Sequence, residues 1–135
     1  MSNYSIGRTI LCIDDDASTL EYHRALLERR GYEVLTAASA QQGLRIAEEC
    51  AVAAVVVDYE MPEMNGHEVA LEIKRHRPQV PIVMVSANDR IPEEQLSGVE
   101  AFLHKDEAAT RLLPVIIQIC GEMPSEDRRR PLSDA

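Results

Sequence analysis

Short apolar runs alternate with segments of helical periodicity along most of the chain. Five runs rich in Val, Ile, Leu and Ala have the character of buried strands, and they cover residues 9–13, 32–37, 53–57, 81–85 and 101–104. Runs that are apolar on both faces and separated by helices predict a parallel sheet covered on both sides. Right-handed crossovers then make a doubly wound α/β sandwich of three layers.

The segments between the runs predict helices over about residues 18–30, 40–49, 67–75 and 108–120. A Ser or Thr near position 18 can cap the first helix, and Gly31 stops it. Pro78 closes the third helix, and Gly121 ends the last. Pro114 indicates either the first turn of the last helix or a kink within it.

Length and charge narrow the class of protein. The 135 residues suit one domain, which we place at 8–121, with an extension at 1–7 and a polar, disordered tail at 122–135. The formal net charge of −9 disfavours direct binding to nucleic acid or to an anionic membrane. The basic run Arg128–Arg130 lies in the polar tail and is interpreted as solvated.

The cysteine pattern and the absence of long apolar runs indicate a cytoplasmic protein. Cys12, Cys50 and Cys120 are odd in number and widely spaced, and apolar residues flank each of them, so we expect reduced, buried thiols. No secretory leader pattern is present, and no apolar run approaches the ~20 residues of a membrane span.

Polar residues stand at the ends of four predicted strands. Asp14–Asp16 follow the first strand, Asp58 the third, Ser86 the fourth and Lys105 the fifth. In an open α/β sheet the functional site lies beyond the carboxyl ends of the strands. These side chains are therefore expected to meet.

Their residue types suit phosphoryl transfer. Converging carboxylates repel one another unless a cation holds them, and Mg²⁺ prefers such oxygen ligands. Lys105 adds a fixed positive charge, and Ser86 adds a hydroxyl for phosphoryl oxygens. Asp58 is then the candidate nucleophile. For Asp16, a role as a helix N-cap and a role in the site remain equally open.

Four segments carry a resemblance to a known family. They are Ile-Leu-Cys-Ile-Asp-Asp-Asp at 10–16, the stretch 58–66 (DYEMPEMNG), Ser86-Ala87 and Lys105. Over about residues 8–120 the chain resembles the response-regulator receiver domains of two-component signalling, and the stretch 58–66 resembles their D-x-x-M-P-x-M-x-G signature. The resemblance implies a flavodoxin-like fold, a (βα)5 arrangement around a five-stranded parallel sheet.

The resemblance also implies a role for each site residue. Asp58 would be the phosphoacceptor and a ligand of the cofactor Mg²⁺. Asp15 would bind Mg²⁺ directly, Asp14 through a water, and Glu60 through its backbone carbonyl. Ser86 would be the switch residue that hydrogen-bonds the phosphoryl group, and Lys105 the lysine paired with it. Phe102 would be the switch aromatic, with a plain core role as the alternative.

By the same resemblance, the partners are a sensor histidine kinase or histidine phosphotransfer protein and an unknown downstream protein. The chain would be a signalling protein and not an enzyme, catalysing only its own phosphorylation and dephosphorylation. It would be either a stand-alone, chemotaxis-type receiver or the front part of a longer regulator.

Two departures from the family pattern limit what carries over. Asp106 follows Lys105 where many members have proline, and a non-proline cis bond costs ~2.5–4 kcal/mol, so a trans peptide is expected there. The stretch from Ser86 to Lys105 is short and contains Pro92, so the fourth helix should be short, shifted or irregular.

The last predicted helix is apolar around most of its girth. Leu112, Val115, Ile116 and Ile119 form the stripe expected to face the sheet, and the arc is widened by three further residues, Leu113, Ile117 and Cys120. Such a helix is fully buried or carries a partner surface. We therefore expect a homodimer or a docked partner at the last strand and helix.

Two other functions compete with the receiver interpretation. A Mg²⁺-dependent phosphatase or phosphotransferase would use Asp58 as nucleophile and Glu60, two residues on, as acid, although the chain lacks a cap insertion for a substrate pocket. Flavodoxin-like cofactor binding is disfavoured, because Asp14–Asp16 would repel the phosphate that a Ser/Thr/Gly-rich loop should cradle.

Overall fold

The structure, a computed structural model, describes residues 8–88 and 90–121. Its strands are β1 (Thr9–Ile13), β2 (Glu33–Ala37), β3 (Ala54–Asp58), β4 (Ile82–Ser86) and β5 (Ala101–His104). Its α-helices are α1 (Ala17–Glu28), α2 (Ala40–Glu49), α3 (Gly66–His76) and α4 (Ala108–Cys120). Two short 3-10 helices cover Glu93–Gln95 and Lys105–Glu107. The predicted extension 1–7 and tail 122–135 lie outside the described residues.

All five strands are parallel and lie in the order β2-β1-β3-β4-β5. The order reverses direction at β1, so the helices cover both faces of the sheet. This is the flavodoxin-like, doubly wound sandwich expected from the apolar runs. The central strands β1, β3 and β4 are buried along their whole length, which explains why their sequences show no polar alternation.

Each strand divides its side chains between two cores. In β1, Ile10 and Cys12 face the core covered by α1 and α4, which also contains Leu27 and Leu112. Residues one position along, such as Leu11, face the opposite core under α2 and α3. Because successive side chains of a strand point to opposite faces, each strand contributes apolar residues to both cores.

The fourth crossover contains the 3-10 helix Glu93–Gln95 in place of a regular α-helix, which confirms the expectation of a short or irregular element. The Lys105–Asp106 peptide is trans, as expected. Pro114 lies in the interior of α4, so the first-turn alternative is wrong. A proline there leaves the carbonyl of Thr110 without its helical hydrogen bond.

The apolar arc of α4 is mostly accounted for by the core itself. Leu112 and Ile116 are fully buried. Residues on both flanks are half-buried and pack against the same core, namely Leu113, Val115, Ile117, Ile119 and Cys120.

The three cysteines all lie in the described residues and differ in burial. Burial raises the pKa of the Cys12 thiol to about 12, with the Asp14 carboxylate adding to the effect, so this cysteine is protonated and unreactive. Cys50 and Cys120 are half-buried and, like Cys12, free of disulfide bonds. Within residues 8–88 and 90–121, no helix combines the length and the apolar character needed to cross a bilayer.

Candidate functional site

Three carboxylates meet at the carboxyl edge of the sheet. Strands β1 and β3 pair with Ile13 opposite Val57, so Asp14 and Asp58 lie side by side at the next position. Carboxylate oxygens of Asp14, Asp15 and Asp58 all lie within 4.8 Å of one another. Asp14 and Asp58 are buried, whereas Asp15 is exposed.

The Asp14 carboxylate is only half satisfied. Its Oδ1 accepts a hydrogen bond of 2.9 Å from the backbone N–H of Asp16. Its Oδ2 is buried and accepts no hydrogen bond from the described part of the chain, with Lys105 Nζ 3.6 Å away. A buried carboxylate oxygen with an open lone pair is a group that a cation would stabilise.

Lys105 supplies the positive charge of the site. Its Nζ donates a hydrogen bond of 3.3 Å to Asp58 Oδ2. Although partial burial lowers it, the carboxylates of Asp14 and Asp58 raise the pKa of Lys105 above its usual value. The ammonium is therefore firmly protonated and lies between the two buried acids.

His104 positions the backbone around Lys105. Its Nδ1 accepts from the backbone N–H of Asp106 at 3.1 Å, and the backbone N–H of His104 donates to Glu107 Oε1 at 3.1 Å. Because Nδ1 accepts, Nε2 carries the proton and donates to the carbonyl of Ala87 at 2.9 Å. His104 thus joins the loop after β4 to the segment that carries Lys105.

One ammonium does not neutralise three carboxylates. Burial, and after it the neighbouring Asp14 carboxylate, raise the pKa of Asp58 to about 7 against the opposing effect of Lys105. Burial likewise raises the pKa of Asp14. Two buried acids with raised pKa values, together with the open Asp14 Oδ2, form a set of oxygen ligands that a hard divalent cation would stabilise. The residues present fit Mg²⁺.

Asp16 does not join this cluster. It is the N-cap of α1, since its Oδ1 accepts from the backbone N–H of Ser18 at 3.0 Å and from the Ser18 hydroxyl at 2.8 Å. Both bonds lower the pKa of Asp16, and the bond from the Ser18 hydroxyl has the larger effect. Of the two roles left open for Asp16, the structure shows the helix N-cap. The cap of α1 is thus Asp16 and not a Ser or Thr near position 18.

Ser86, the last residue of β4, is fully buried and bonded to Glu60. Its Oγ donates a short hydrogen bond to Glu60 Oε2 and accepts from the backbone N–H of Asn88 at 2.8 Å. The backbone N–H of Ala87 donates to Glu60 Oε1 at 3.3 Å. The sequence raised Glu60 only for its carbonyl and as a possible acid, so this side-chain contact was missed.

The loop after Asp58 is held close to the strand. The backbone N–H of Glu60 donates to Asp58 Oδ1 at 3.2 Å, and that of Gly66 donates to the carbonyl of Tyr59 at 2.9 Å. A Cβ added at Gly66 would lie 2.8 Å from both Asp58 O and Tyr59 Cα. Glycine is therefore required here, because a side chain would prevent the close approach of the two backbone segments. The sequence spacing of Pro62 and Gly66 indicated only a loop.

The fourth crossover is tied to this loop through Gln95. The hydroxyl of Tyr59 donates to Gln95 Oε1 at 2.6 Å, and His67 Nδ1 lies 3.1 Å from the Gln95 carbonyl. Phe102 is half-buried and packs against the core under α2 and α3, as Tyr59 and Ile91 also do. Both the core role and the switch role foreseen for Phe102 are compatible with this position.

Comparisons with known proteins agree with this architecture. A family model described as the response regulator receiver domain matches residues 10–117. The transcriptional regulatory protein GlrR of Escherichia coli (strain K12) is 34% identical over 99 residues, which are 71% of this chain and 22% of that protein. The chain spans 22% of the length of GlrR, and 35% and 38% of the lengths of two further transcriptional regulatory proteins that it resembles.

Solved structures are similar as well. A response regulator receiver domain protein from Clostridium thermocellum is 30% identical, with a TM-score of 0.76, and the match covers 93% of this chain and 98% of that one. The receiver domain of the sensor histidine kinase PA1611 from Pseudomonas aeruginosa PAO1 is 25% identical, with a TM-score of 0.77 and coverage of 86% and 99%. That structure has a magnesium ion coordinated in its active-site cleft.

The chain belongs to the response regulator receiver domain family. It is a receiver of two-component signalling, with an acidic pocket of the kind that binds Mg²⁺ and accepts a phosphoryl group on aspartate.

Proposed function

We propose that Asp58 is the phosphoacceptor. The observation that carries this assignment is the position of its buried carboxylate, which lies within 4.8 Å of carboxylate oxygens of Asp14 and Asp15 and receives hydrogen bonds from Lys105 Nζ and the Glu60 amide. A carboxylate fixed by two donors presents its remaining lone pairs in one direction. Asp14 shares the burial, but it lies beside Asp58 at the end of β1 and its Oδ1 is engaged by Asp16.

Asp14, Asp15 and Asp58, together with the backbone carbonyl of Glu60, would hold the Mg²⁺. The proximity of the three carboxylates and the open Asp14 Oδ2 support this set. When bound, the cation neutralises the acids and the phosphoryl oxygens and so lowers the barrier for attack.

The protein groups then divide the work of transfer. An Asp58 oxygen forms the new O–P bond, the P–N bond of a phosphohistidine breaks, and the imidazole nitrogen keeps the electron pair and takes a proton from water. Lys105, already within 3.3 Å of Asp58, would hold a phosphoryl oxygen, and the Ser86 hydroxyl would hold another. Phe102 would follow Ser86 as the switch aromatic.

The donor of the phosphoryl group is inferred to be a sensor histidine kinase or a histidine phosphotransfer protein in the cytoplasm, and the output a change in protein–protein contacts. Direct binding to nucleic acid or to a membrane is not proposed for this acidic domain. A homodimer through β5 and α4 stays a prediction. Light scattering that found a strict monomer in both the phosphorylated and unphosphorylated states would count against it.

The alternative of a phosphatase that acts on separate substrates needs Glu60 as a free acid or base. Glu60 is instead bonded to Ser86 and Ala87, so it would have to leave both to act. Turnover of small phosphate esters far above the rate of self-dephosphorylation would favour that alternative.

The assignment is tested by incubating the protein with Mg²⁺ and ³²P-labelled acetyl phosphate. Wild type should acquire a label that is lost in acid and in base, and Asp58→Asn should acquire none. Asp106→Asn, a change of the same kind at a side chain that is 92% exposed, serves as control and should label as wild type does. Equal labelling of wild type and Asp58→Asn would overturn the assignment.

A further inference from the structure

The Glu60 carboxylate occupies the Ser86 hydroxyl, the donor assigned above to a phosphoryl oxygen, and also the adjacent backbone N–H of Ala87. Its Oε2 accepts from the Ser86 hydroxyl and its Oε1 from the Ala87 backbone N–H. Both donors stand at the carboxyl end of β4, which pairs with β3 so that Val85 lies opposite Asp58. A carboxylate with two oxygens on adjacent donors resembles one face of a phosphoryl group.

The Ser86 hydroxyl has no second proton to give. Its oxygen accepts from the Asn88 N–H at 2.8 Å, and its single O–H is directed to Glu60. Ser86 is fully buried, so water does not compete for that proton. A phosphoryl oxygen can gain this hydrogen bond only if Glu60 releases it.

The negative charges of the Glu60 carboxylate and of a phosphoryl group would repel each other if both occupied these donors. A phosphoryl group brings a charge of about −1.5 to −2, and the Glu60 carboxylate adds another negative charge beside it. The Glu60 side chain is exposed, so it can swing into solvent without breaking the core. Displacement is therefore the low-energy response to phosphorylation.

We propose that Glu60 is an internal occupant of the phosphoryl-binding donors, which holds Ser86 toward the β3–α3 loop in the unphosphorylated protein and is expelled when Asp58 is phosphorylated. This inference rests on the proposed function of Asp58. Phosphorylation then exchanges one acceptor on Ser86 for another, and the main local change is the release of the Glu60 side chain. Glu60 acts as a positioning residue and competitor, which sets how tightly the phosphoryl group is held.

The test uses fluoroberyllate with saturating Mg²⁺, a complex that forms on the aspartate carboxylate and stands in for the phosphoryl group. Removing the competitor in Glu60→Ala should tighten fluoroberyllate binding about tenfold, equivalent to ~1.4 kcal/mol. Glu60→Gln keeps an acceptor oxygen but removes the charge, so an intermediate gain is expected. Both variants keep the Glu60 backbone carbonyl. Glu63→Gln removes one charge from an exposed position of the same loop and should bind as wild type does.

A second measurement reports the donors directly. In ¹H–¹⁵N spectra without fluoroberyllate, the Ala87 and Asn88 amide signals should move in Glu60→Ala and stay in Glu63→Gln. Binding within twofold of wild type in Glu60→Ala, or unmoved Ala87 and Asn88 signals, would overturn the proposal. Failure of wild type itself to bind fluoroberyllate or to take label would instead refute the role of Asp58, and this inference with it.

Discussion

Lys105 and Asp58 form a hydrogen-bonded ion pair of 3.3 Å between residues 47 positions apart in the sequence. The pair joins the loop after β5 to the end of β3, across the whole width of β4. The same ammonium lies 3.6 Å from Asp14 Oδ2, so one cation contacts both buried acids of the site. The proposed phosphoacceptor and the cation proposed to respond to its phosphorylation are thus already in contact in the unphosphorylated protein.

Lys105→Ala should keep some phosphorylation but lose the response to it. The ammonium stabilises phosphoryl oxygens without attacking phosphorus, and loss of one charge-assisted hydrogen bond of ~1.5–3 kcal/mol weakens fluoroberyllate binding roughly 10- to 100-fold. Fluoroberyllate-induced shifts at residues 102–107 should shrink in ¹H–¹⁵N spectra. Arg75→Ala, at a side chain that is 72% exposed, is the control. A full wild-type response in Lys105→Ala would exclude this role.

Asp15 and Asp16 are adjacent carboxylates with different expected roles. Asp15→Ala should weaken Mg²⁺ binding at least ~10-fold, because it removes a proposed ligand. Loss of a residue that only hydrogen-bonds a ligand already costs about tenfold. Asp16→Ala should leave Mg²⁺ affinity unchanged and lower the melting temperature, because it removes the N-cap of α1. Titration calorimetry and thermal unfolding measure the two effects. Loss of Mg²⁺ affinity in Asp16→Ala would return Asp16 to the site.

The pH dependence of stability without Mg²⁺ should reveal the raised pKa of Asp58. Its folded-state pKa of about 7 exceeds the unfolded value of about 3.9, so the folded protein binds more protons between these pH values. Stability is therefore lost as pH rises through this window. Asp58→Asn lacks the ionisation and should exceed wild type in free energy of unfolding by roughly 2–4 kcal/mol above pH 7, with little difference below pH 4.

Urea unfolding in EDTA at several pH values measures this difference, and added Mg²⁺ should narrow it by stabilising the ionised wild type. Asp106→Asn should follow the wild-type curve, because that side chain is exposed. A constant offset between Asp58→Asn and wild type at all pH values would show that Asp58 ionises normally in the fold.

Gly66→Ala should disturb the site through the backbone. The added Cβ would meet backbone atoms of Asp58 and Tyr59 at 2.8 Å, and relieving such overpacking costs about 1–3 kcal/mol and displaces the phosphoacceptor. Labelling by acetyl phosphate should fall. Gly98→Ala has open space around the new Cβ and only the strain of a φ of +87°, about 1–2 kcal/mol, so its labelling should persist.

The sequence by itself determined the sheet, its layers and the edge that carries the chemistry. A parallel strand buried on both faces must be apolar at every position, so β1, β3 and β4 are legible as local runs. Polar residues directly after such runs necessarily gather at one edge. The sequence therefore placed four residues together at this edge, namely Asp14, Asp15, Asp58 and Lys105.

Only the tertiary structure decided which atoms the side chains of the site contact. Asp16 was ambiguous because a cap and a ligand use the same side chain, and the choice depends on whether it points along α1 or into the site. The Glu60–Ser86 bond joins residues 26 positions apart, and it exists because β3 pairs with β4 and both side chains take the rotamers that meet. Pairing of distant strands and choice of rotamer are properties of the packed molecule, so no local pattern encodes them.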